Sequence, residues 1–155
     1  MENMKEFKIK YPHYKAKEIF KDIGATFKEK TEQEDFYLKS TDETILRLKK
    51  EGGKIYLINF TKEKDGFGIN LSERLDKEAT DSLLSFFKGN PLIIKKIREH
   101  YIWKGAEIVL DNVVGLGEFI ELYPREETSK EELLKIFNIN PAELITESYY
   151  DMWKK

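Results

Sequence analysis

Apolar and charged residues alternate one by one between Glu6 and Tyr11, and this period of two predicts a β-strand. The period changes after Pro12. Apolar residues then recur at helical spacing from Tyr14 until Gly24, which predicts a helix with a glycine stop. Shorter alternating or apolar runs bounded by turn residues predict seven more strands, over residues 27–38, 44–49, 55–62, 69–75, 92–103, 106–112 and 118–123. Capping and stop signals predict three further helices, over residues 77–88, 129–137 and from 140 to about 153.

Several of these predicted strands present one apolar face and one charged face. Residues i and i+2 of a strand share a face, so Arg47 lies with Lys49, and Lys96 lies with Arg98. The default interpretation is an open antiparallel sheet whose charged face contacts water. The alternative is a closed barrel with the charges inside, where basic residues would bind phosphate oxygens and carboxylates would hold a divalent metal. The alternation itself is compatible with both.

The composition excludes several classes of protein. The chain has 155 residues, a formal net charge of −2, 13% aromatic residues and no cysteine. The length suits a single domain over residues 1–155, and the lack of cysteine excludes a disulfide scaffold and a thiolate metal site. The balanced charge gives no general attraction to nucleic acid, no apolar run is long enough for a membrane span, and the N-terminus has no signal region. We therefore expect a cytoplasmic protein that binds neither nucleic acid nor a membrane.

A series of short segments spread over nearly the whole chain matches the motifs of one known family in their order. The segments are Glu6-Phe7-Lys8-Ile9-Lys10, Gln33-Glu34-Asp35-Phe36-Tyr37, Leu46-Arg47-Leu48-Lys49, Lys96-Ile97-Arg98, Glu107-Ile108-Val109-Leu110-Asp111, Gly115-Leu116-Gly117-Glu118-Phe119-Ile120-Glu121 and Ser148-Tyr149. Together they resemble the CYTH superfamily, which comprises class IV adenylyl cyclases, thiamine triphosphatases and related triphosphate tunnel metalloenzymes. The second segment is similar to the cyclase branch.

The resemblance implies an α+β fold, in which an eight-stranded antiparallel β-barrel forms a triphosphate tunnel with flanking helices. It also implies an enzyme that uses Mg²⁺ or Mn²⁺ on ATP, inorganic triphosphate or thiamine triphosphate, by cyclisation or by hydrolysis, and it is compatible with a homodimer. The basic residues that match the family's phosphate ligands are Lys10, which is also the catalytic candidate, Arg47, Lys49, Lys62, Lys96 and Arg98. The acidic residues that match its metal ligands are Glu6, Asp111 and Glu121.

Two departures from the family pattern favour an alternative function. Lys8 and Tyr123 stand where the family has glutamate, so part of the expected set of metal-binding carboxylates is missing. A lysine at such a position favours the binding of anions over metals. The alternative is therefore a non-catalytic module that binds nucleotides or polyphosphates and has lost turnover together with its carboxylates.

Overall fold

The computed structural model describes residues 4–87 and 92–154. The strands are β1 (Met4–Lys10), β2 (Thr26–Ser40), β3 (Thr44–Glu51), β4 (Lys54–Lys62), β5 (Phe67–Leu75), β6 (Leu92–Trp103), β7 (Ala106–Val113) and β8 (Gly117–Tyr123). The helices are α1 (His13–Ile23), α2 (Lys77–Phe86), α3 (Lys130–Ile136) and α4 (Tyr149–Trp153). All strand pairs are antiparallel, and the strands close into one barrel in the order β1-β5-β4-β3-β2-β6-β7-β8. The fold class implied by the resemblance is confirmed.

The helix ends follow from local capping chemistry. Gly24 adopts a left-handed conformation with φ of 74° and donates its backbone N–H to Phe20, which ends α1. Asp76 accepts a hydrogen bond of 2.8 Å from the backbone of Ala79 and so begins α2. Within the two described ranges, none of the helices is long and apolar enough to cross a membrane.

An apolar layer on the outside of the barrel decides which way the strands face. The apolar side chains on one face of β1, β7 and β8 point outward and are covered by α1 and α3. Burying one such side chain fully is worth roughly 1.5–3 kcal/mol, so this packing directs the charged side chains of the same strands into the barrel. The buried members of this layer include Phe7, Phe20, Leu110, Leu122 and Leu133.

Several predicted boundaries differ from the structure. The strand predicted over 27–38 is longer, because β2 pairs with β6 from Thr26 to Tyr37 and with β3 from Gln33 to Ser40. The single helix predicted from residue 140 is wrong: Pro141–Glu143 form one 3₁₀ turn, and α4 begins only after its own capping residue, Ser148. Between them Ile145 pairs with the backbone of Lys8 in the barrel. The predicted stop of the second helix, at Gly89 and Pro91, lies outside the described residues.

Candidate functional site

The interior of the barrel, here called the lumen, is rich in charge. Eight charged side chains in it are at most 9% exposed, and they divide evenly by sign. The basic ones are Lys8, Arg47, Lys96 and Arg98, and the acidic ones are Glu6, Asp35, Asp111 and Glu121. A buried charge is costly unless it is paired, so the contacts among these groups determine what the lumen can bind.

Arg98 is the centre of the strongest pairing. Its Nε and Nη2 atoms donate hydrogen bonds of 2.7 Å each to the two oxygens of Asp111, and Nη2 also lies 2.8 Å from Oε1 of Glu121. The hydroxyl of Tyr149 donates to the same Asp111 carboxylate at 2.9 Å. Burial alone would lower the pKa of Arg98, but Asp111 and Glu121 hold it well above its usual value. Arg98 is therefore a fixed positive charge.

A second cluster surrounds Asp35. Lys96 donates to Oδ2 of Asp35 at 2.8 Å, and Nη1 of Arg47 lies 3.3 Å from the same oxygen. Arg47 also donates to the hydroxyl of Tyr37 at 3.1 Å. Burial alone would raise the pKa of Asp35, but Arg47 and Lys96 hold it below its usual value. Within the described part of the chain, Oδ1 of Asp35 and Nε of Arg47 are buried without a hydrogen-bond partner.

Tyr123 joins two carboxyl groups. Its hydroxyl oxygen lies 2.7 Å from Oε2 of Glu6 and 2.7 Å from Oε1 of Glu121. Because a phenol has one hydroxyl proton, two such contacts require one of the carboxyl groups to carry a proton as well. Burial, with repulsion from Glu121, raises the pKa of Glu6. Burial alone would also raise the pKa of Glu121, but Arg98 and Lys8 hold it well below its usual range. Glu6 is therefore the protonated member of the pair.

A cavity of about 240 Å³ lies in the lumen beside these clusters. Arg47, Lys49 and Arg98 line one part of its wall, and apolar side chains such as Ile58 and Val109 line another. Burial, with repulsion from Arg98, lowers the pKa of Lys49 to about 8. Three basic residues thus face one space large enough for a small anion. The remaining lining residues are Phe60, Ile69, Ser72, His100, Glu107 and Tyr123.

The other end of the lumen is closed by α4. The ring of Tyr149 is fully buried, packs on Phe119 at 5.1 Å between centroids, and has the Nζ atoms of Lys8 and Lys96 at 3.9 and 5.3 Å from its centroid. Asp151 of α4 accepts a hydrogen bond of 2.8 Å from Lys62. Tyr149 therefore fills the lumen at the α4 end.

The structure separates the expected phosphate ligands into two groups. Arg47, Lys49, Lys96 and Arg98 come together around the cavity and the Asp35 and Asp111 clusters. Lys62 instead pairs with Asp151 at the α4 end. Lys10 is exposed, opposes Phe119 in the β1–β8 pairing and does not line the cavity. The catalytic role expected for Lys10 stays a prediction.

The expected metal ligands are all engaged with other groups of the chain. Asp111 binds Arg98 and Tyr149, Glu121 binds Arg98 and Tyr123, and Glu6 binds Tyr123. Among the described residues, no cluster of three or more His, Cys, Asp or Glu side chains is arranged to hold a metal ion. Mg²⁺ requires several oxygen donors in near-octahedral geometry. These carboxylates do not fit a resident divalent metal, so their role as metal ligands stays a prediction that the geometry does not support.

Some residues of the site were not expected from the sequence. In the sequence, Asp35 and Tyr37 indicated only a similarity to the cyclase branch of the family. In the structure, Asp35 positions both Lys96 and Arg47. In the sequence, Tyr123 was notable only because the family has glutamate at that position. In the structure, its hydroxyl joins Glu6 to Glu121. The period-two pattern of β2 does place Gln33, Asp35 and Tyr37 on one face, so the signal was present.

Comparisons with known proteins agree with this architecture. The family model of the CYTH domain matches residues 2–149 of the chain. The protein named putative adenylate cyclase MJ0240, from Methanocaldococcus jannaschii, is 28% identical over an alignment of 160 positions that covers 89% of this chain and 90% of that protein. The solved structure of PH1012 from Pyrococcus horikoshii has a TM-score of 0.79 at 20% identity, covering 94% of this chain and 96% of that chain. A Hippeastrum protein described as a putative adenylyl cyclase with a dominant triphosphatase activity has a TM-score of 0.66 at 14% identity, covering 97% and 95%.

Proposed function

Because the chain belongs to the CYTH domain family, we propose that it binds the triphosphate group of a small molecule in the lumen and acts on it as an enzyme. The candidate compounds are ATP, inorganic triphosphate and thiamine triphosphate. The observation that carries the proposal is the convergence of Arg47, Lys49 and Arg98 on one cavity of about 240 Å³. Cytoplasmic location, a homodimeric state and the absence of a nucleic-acid partner stay predictions.

The chemistry of these three residues suits phosphate oxygens. Arg98 uses Nε and Nη2 for Asp111, so its Nη1 group is the part that can donate to a phosphate. Nε of Arg47 is likewise buried without a partner within the described chain. Nζ of Lys49 lies 3.7 Å from Oε2 of Glu51, which is a weak contact, and a phosphate would be the stronger partner. A phosphate would therefore supply the acceptors that these donors lack.

The reaction follows the two activities named for the relatives. A cyclase converts ATP to cyclic AMP with release of pyrophosphate, and a triphosphatase hydrolyses the terminal phosphate. Transfer of a phosphoryl group depends mainly on positioning and on neutralising charge, and the rigid cations Arg47 and Arg98 provide both. Since the lumen carboxylates do not fit a resident metal, Mg²⁺ or Mn²⁺ would enter as part of the metal–triphosphate substrate.

Phosphorus NMR of the purified protein with ATP or inorganic triphosphate, in Mg²⁺ and in Mn²⁺, tests this proposal. Pyrophosphate with cyclic AMP identifies a cyclase, and orthophosphate identifies a triphosphatase. Because Mn²⁺ itself broadens phosphorus resonances, line widths are compared only in the Mg²⁺ mixtures, against the same ligand without protein. Ligand resonances that neither change nor broaden there would contradict triphosphate binding.

The second candidate function is binding without turnover. It is favoured by the engagement of Glu6, Asp111 and Glu121 with groups of the chain itself. For this candidate we expect the same NMR experiment to show broadened triphosphate resonances and no new phosphorus signals over the full incubation.

A further inference from the structure

Lys8 places a positive charge in an almost fully enclosed part of the lumen. Its side chain is only 4% exposed, and Nζ lies 3.7 Å from Oε2 of Glu121. The same atom lies 3.9 Å from the ring centroid of Tyr149 and 4.8 Å from that of Phe67. A carboxylate and the faces of aromatic rings are the partners that a cation selects. The amine of Lys8 thus sits in a cage suited to a positive ion.

The two acidic side chains next to this cage are held together. Lys8 opposes Glu121 directly in the β1–β8 pairing and shares a strand face with Glu6. Tyr123 joins Glu6 to Glu121 through its hydroxyl. With Glu6 protonated, Glu121 remains a buried negative charge that needs a cation beside it, and in this chain a covalently attached one is already there.

We propose that Lys8 is a built-in cation that takes the place of a divalent metal beside Glu6 and Glu121, so that the lumen binds a triphosphate group, free or carrying its own metal ion, without a metal ion held by these carboxylates. This inference rests on the proposed function and concerns the two carboxyl groups that Tyr123, a residue of the cavity wall, joins. A divalent ion brought to these carboxylates would meet the charge of Lys8, which is anchored at one end to β1 and held at the other by Tyr149 and Glu121. The amine therefore excludes a metal both by its charge and by the space that it fills.

The wild-type chain gives the first test. Protein treated with EDTA is titrated calorimetrically with inorganic tripolyphosphate, first without metal and then with saturating Mn²⁺, and Mn²⁺ alone is followed by the loss of its free EPR signal. We expect the dissociation constants with and without Mn²⁺ to agree within about threefold, a difference below 1 kcal/mol, and the EPR signal of free Mn²⁺ to stay unchanged. Binding of tripolyphosphate only when Mn²⁺ is present would overturn the role of Lys8 and leave the proposed function intact. Absence of binding in both conditions would instead refute the proposed function.

A pair of charge-matched variants gives the second test. Lys8→Glu replaces the built-in cation by a third carboxylate, and we expect the variant to bind Mn²⁺ alone and to need Mn²⁺ for tight tripolyphosphate binding. Lys15→Glu makes the same change of charge at an exposed position of α1 and is expected to behave like the wild type. A Lys8→Glu variant that folds but shows no gain of Mn²⁺ binding would contradict the inference. If that variant does not fold, the wild-type titrations decide the question.

Discussion

Arg98 and Asp111, which the family pattern assigns to two different ligands, bind each other through two hydrogen bonds of 2.7 Å. The basic side chain expected to hold phosphate is thus oriented by the acidic side chain expected to hold metal. The carboxylates of the lumen therefore act on a ligand indirectly, by fixing the guanidinium and ammonium groups that face the cavity.

The Arg98–Asp111 pair should make a large contribution to stability. Arg98→Met leaves Asp111 and Glu121 buried without their main cation, and breaking a buried pair in this way typically costs about 3–5 kcal/mol. The double variant Arg98→Met/Asp111→Leu should lose less than the sum of the two single losses, because it leaves fewer uncompensated charges. Urea unfolding measures all three free energies.

The exposed pair of Lys17 with Glu99, at 3.4 Å, provides the matched control. Lys17→Met should change the free energy of unfolding by less than about 0.5 kcal/mol, as is usual for surface ion pairs. Equal losses for Arg98→Met and Lys17→Met would show that the lumen pairs do not hold the barrel together.

Lys49 is the best single position for testing anion binding, since its contact with Glu51 is weak and its removal leaves little unpaired. Lys49→Met should weaken tripolyphosphate binding by about 1.5–3 kcal/mol, which is roughly a 10- to 150-fold rise in the dissociation constant. Calorimetric titration measures the change, and unchanged affinity would remove Lys49 from the site. Lys30→Met, at an exposed position of β2, serves as the control.

The same residue predicts a pH dependence. The pKa of Lys49 is about 8 in the folded protein, whereas that of a lysine in the unfolded chain is about 10.4. Between these values the unfolded chain binds more protons, so the contribution of Lys49 makes the free energy of unfolding rise with pH from about 8 to about 10. Tripolyphosphate affinity should fall over the same range, as Lys49 loses its charge. Both trends should be reduced in Lys49→Met, and trends of equal size in the variant would contradict this assignment.

Glu6 and Glu121 should respond differently to the same substitution. The raised pKa of Glu6 favours its protonated form, and glutamine resembles that form. Glu6→Gln should therefore lower the free energy of unfolding by less than about 1 kcal/mol. Glu121→Gln removes the negative charge opposite Arg98 and Lys8 and should cost about 3–5 kcal/mol. Thermal or urea unfolding at pH 7 compares the two, and the reverse order would refute the assignment of the proton to Glu6.

The hydroxyl of Tyr149 should stabilise the closed end of the lumen. Tyr149→Phe keeps the ring that contacts Lys8 and Phe119 but removes the donor to Asp111, which should cost about 1.5–3 kcal/mol. Tyr150→Phe is the control, because it retains the ring contact with Tyr37 at 5.2 Å. Urea unfolding that gives the two variants the same stability would show that the hydrogen bond to Asp111 contributes nothing.

Much of the fold could be predicted from the sequence, but the direction of the strand faces could not. Alternation in β1 places Lys8 and Phe7 on opposite faces of the strand. The same pattern is compatible with an open sheet and with a closed barrel. The covering of Phe7 and Leu122 by α1 and α3 decides between them, and this contact joins segments more than 100 residues apart. The closed barrel was predicted from the family resemblance. The match of the CYTH family model to residues 2–149 confirms that resemblance.

The candidate site was only partly predictable for a related reason. Shared strand faces correctly grouped Arg47 with Lys49 and Lys96 with Arg98, because those pairs are local. The pairing of each carboxylate with a particular cation depends on contacts between strands. One example is the contact of Arg98 on β6 with Asp111 on β7. The positions of Lys10 and Lys62 away from the cavity likewise depend on distant elements, since Lys10 lies over the Phe119 ring of β8 and Lys62 pairs with Asp151 of α4.

A triphosphate group should bind inside the barrel, beside Arg47, Lys49 and Arg98. Mapping of backbone amide chemical shifts during titration with inorganic tripolyphosphate tests this most directly. We expect the largest shifts at Lys49, Arg98 and His100, in saturable proportion to the ligand added. Shifts confined to the outer surface or to the α4 end, or no shifts at all, would contradict the account.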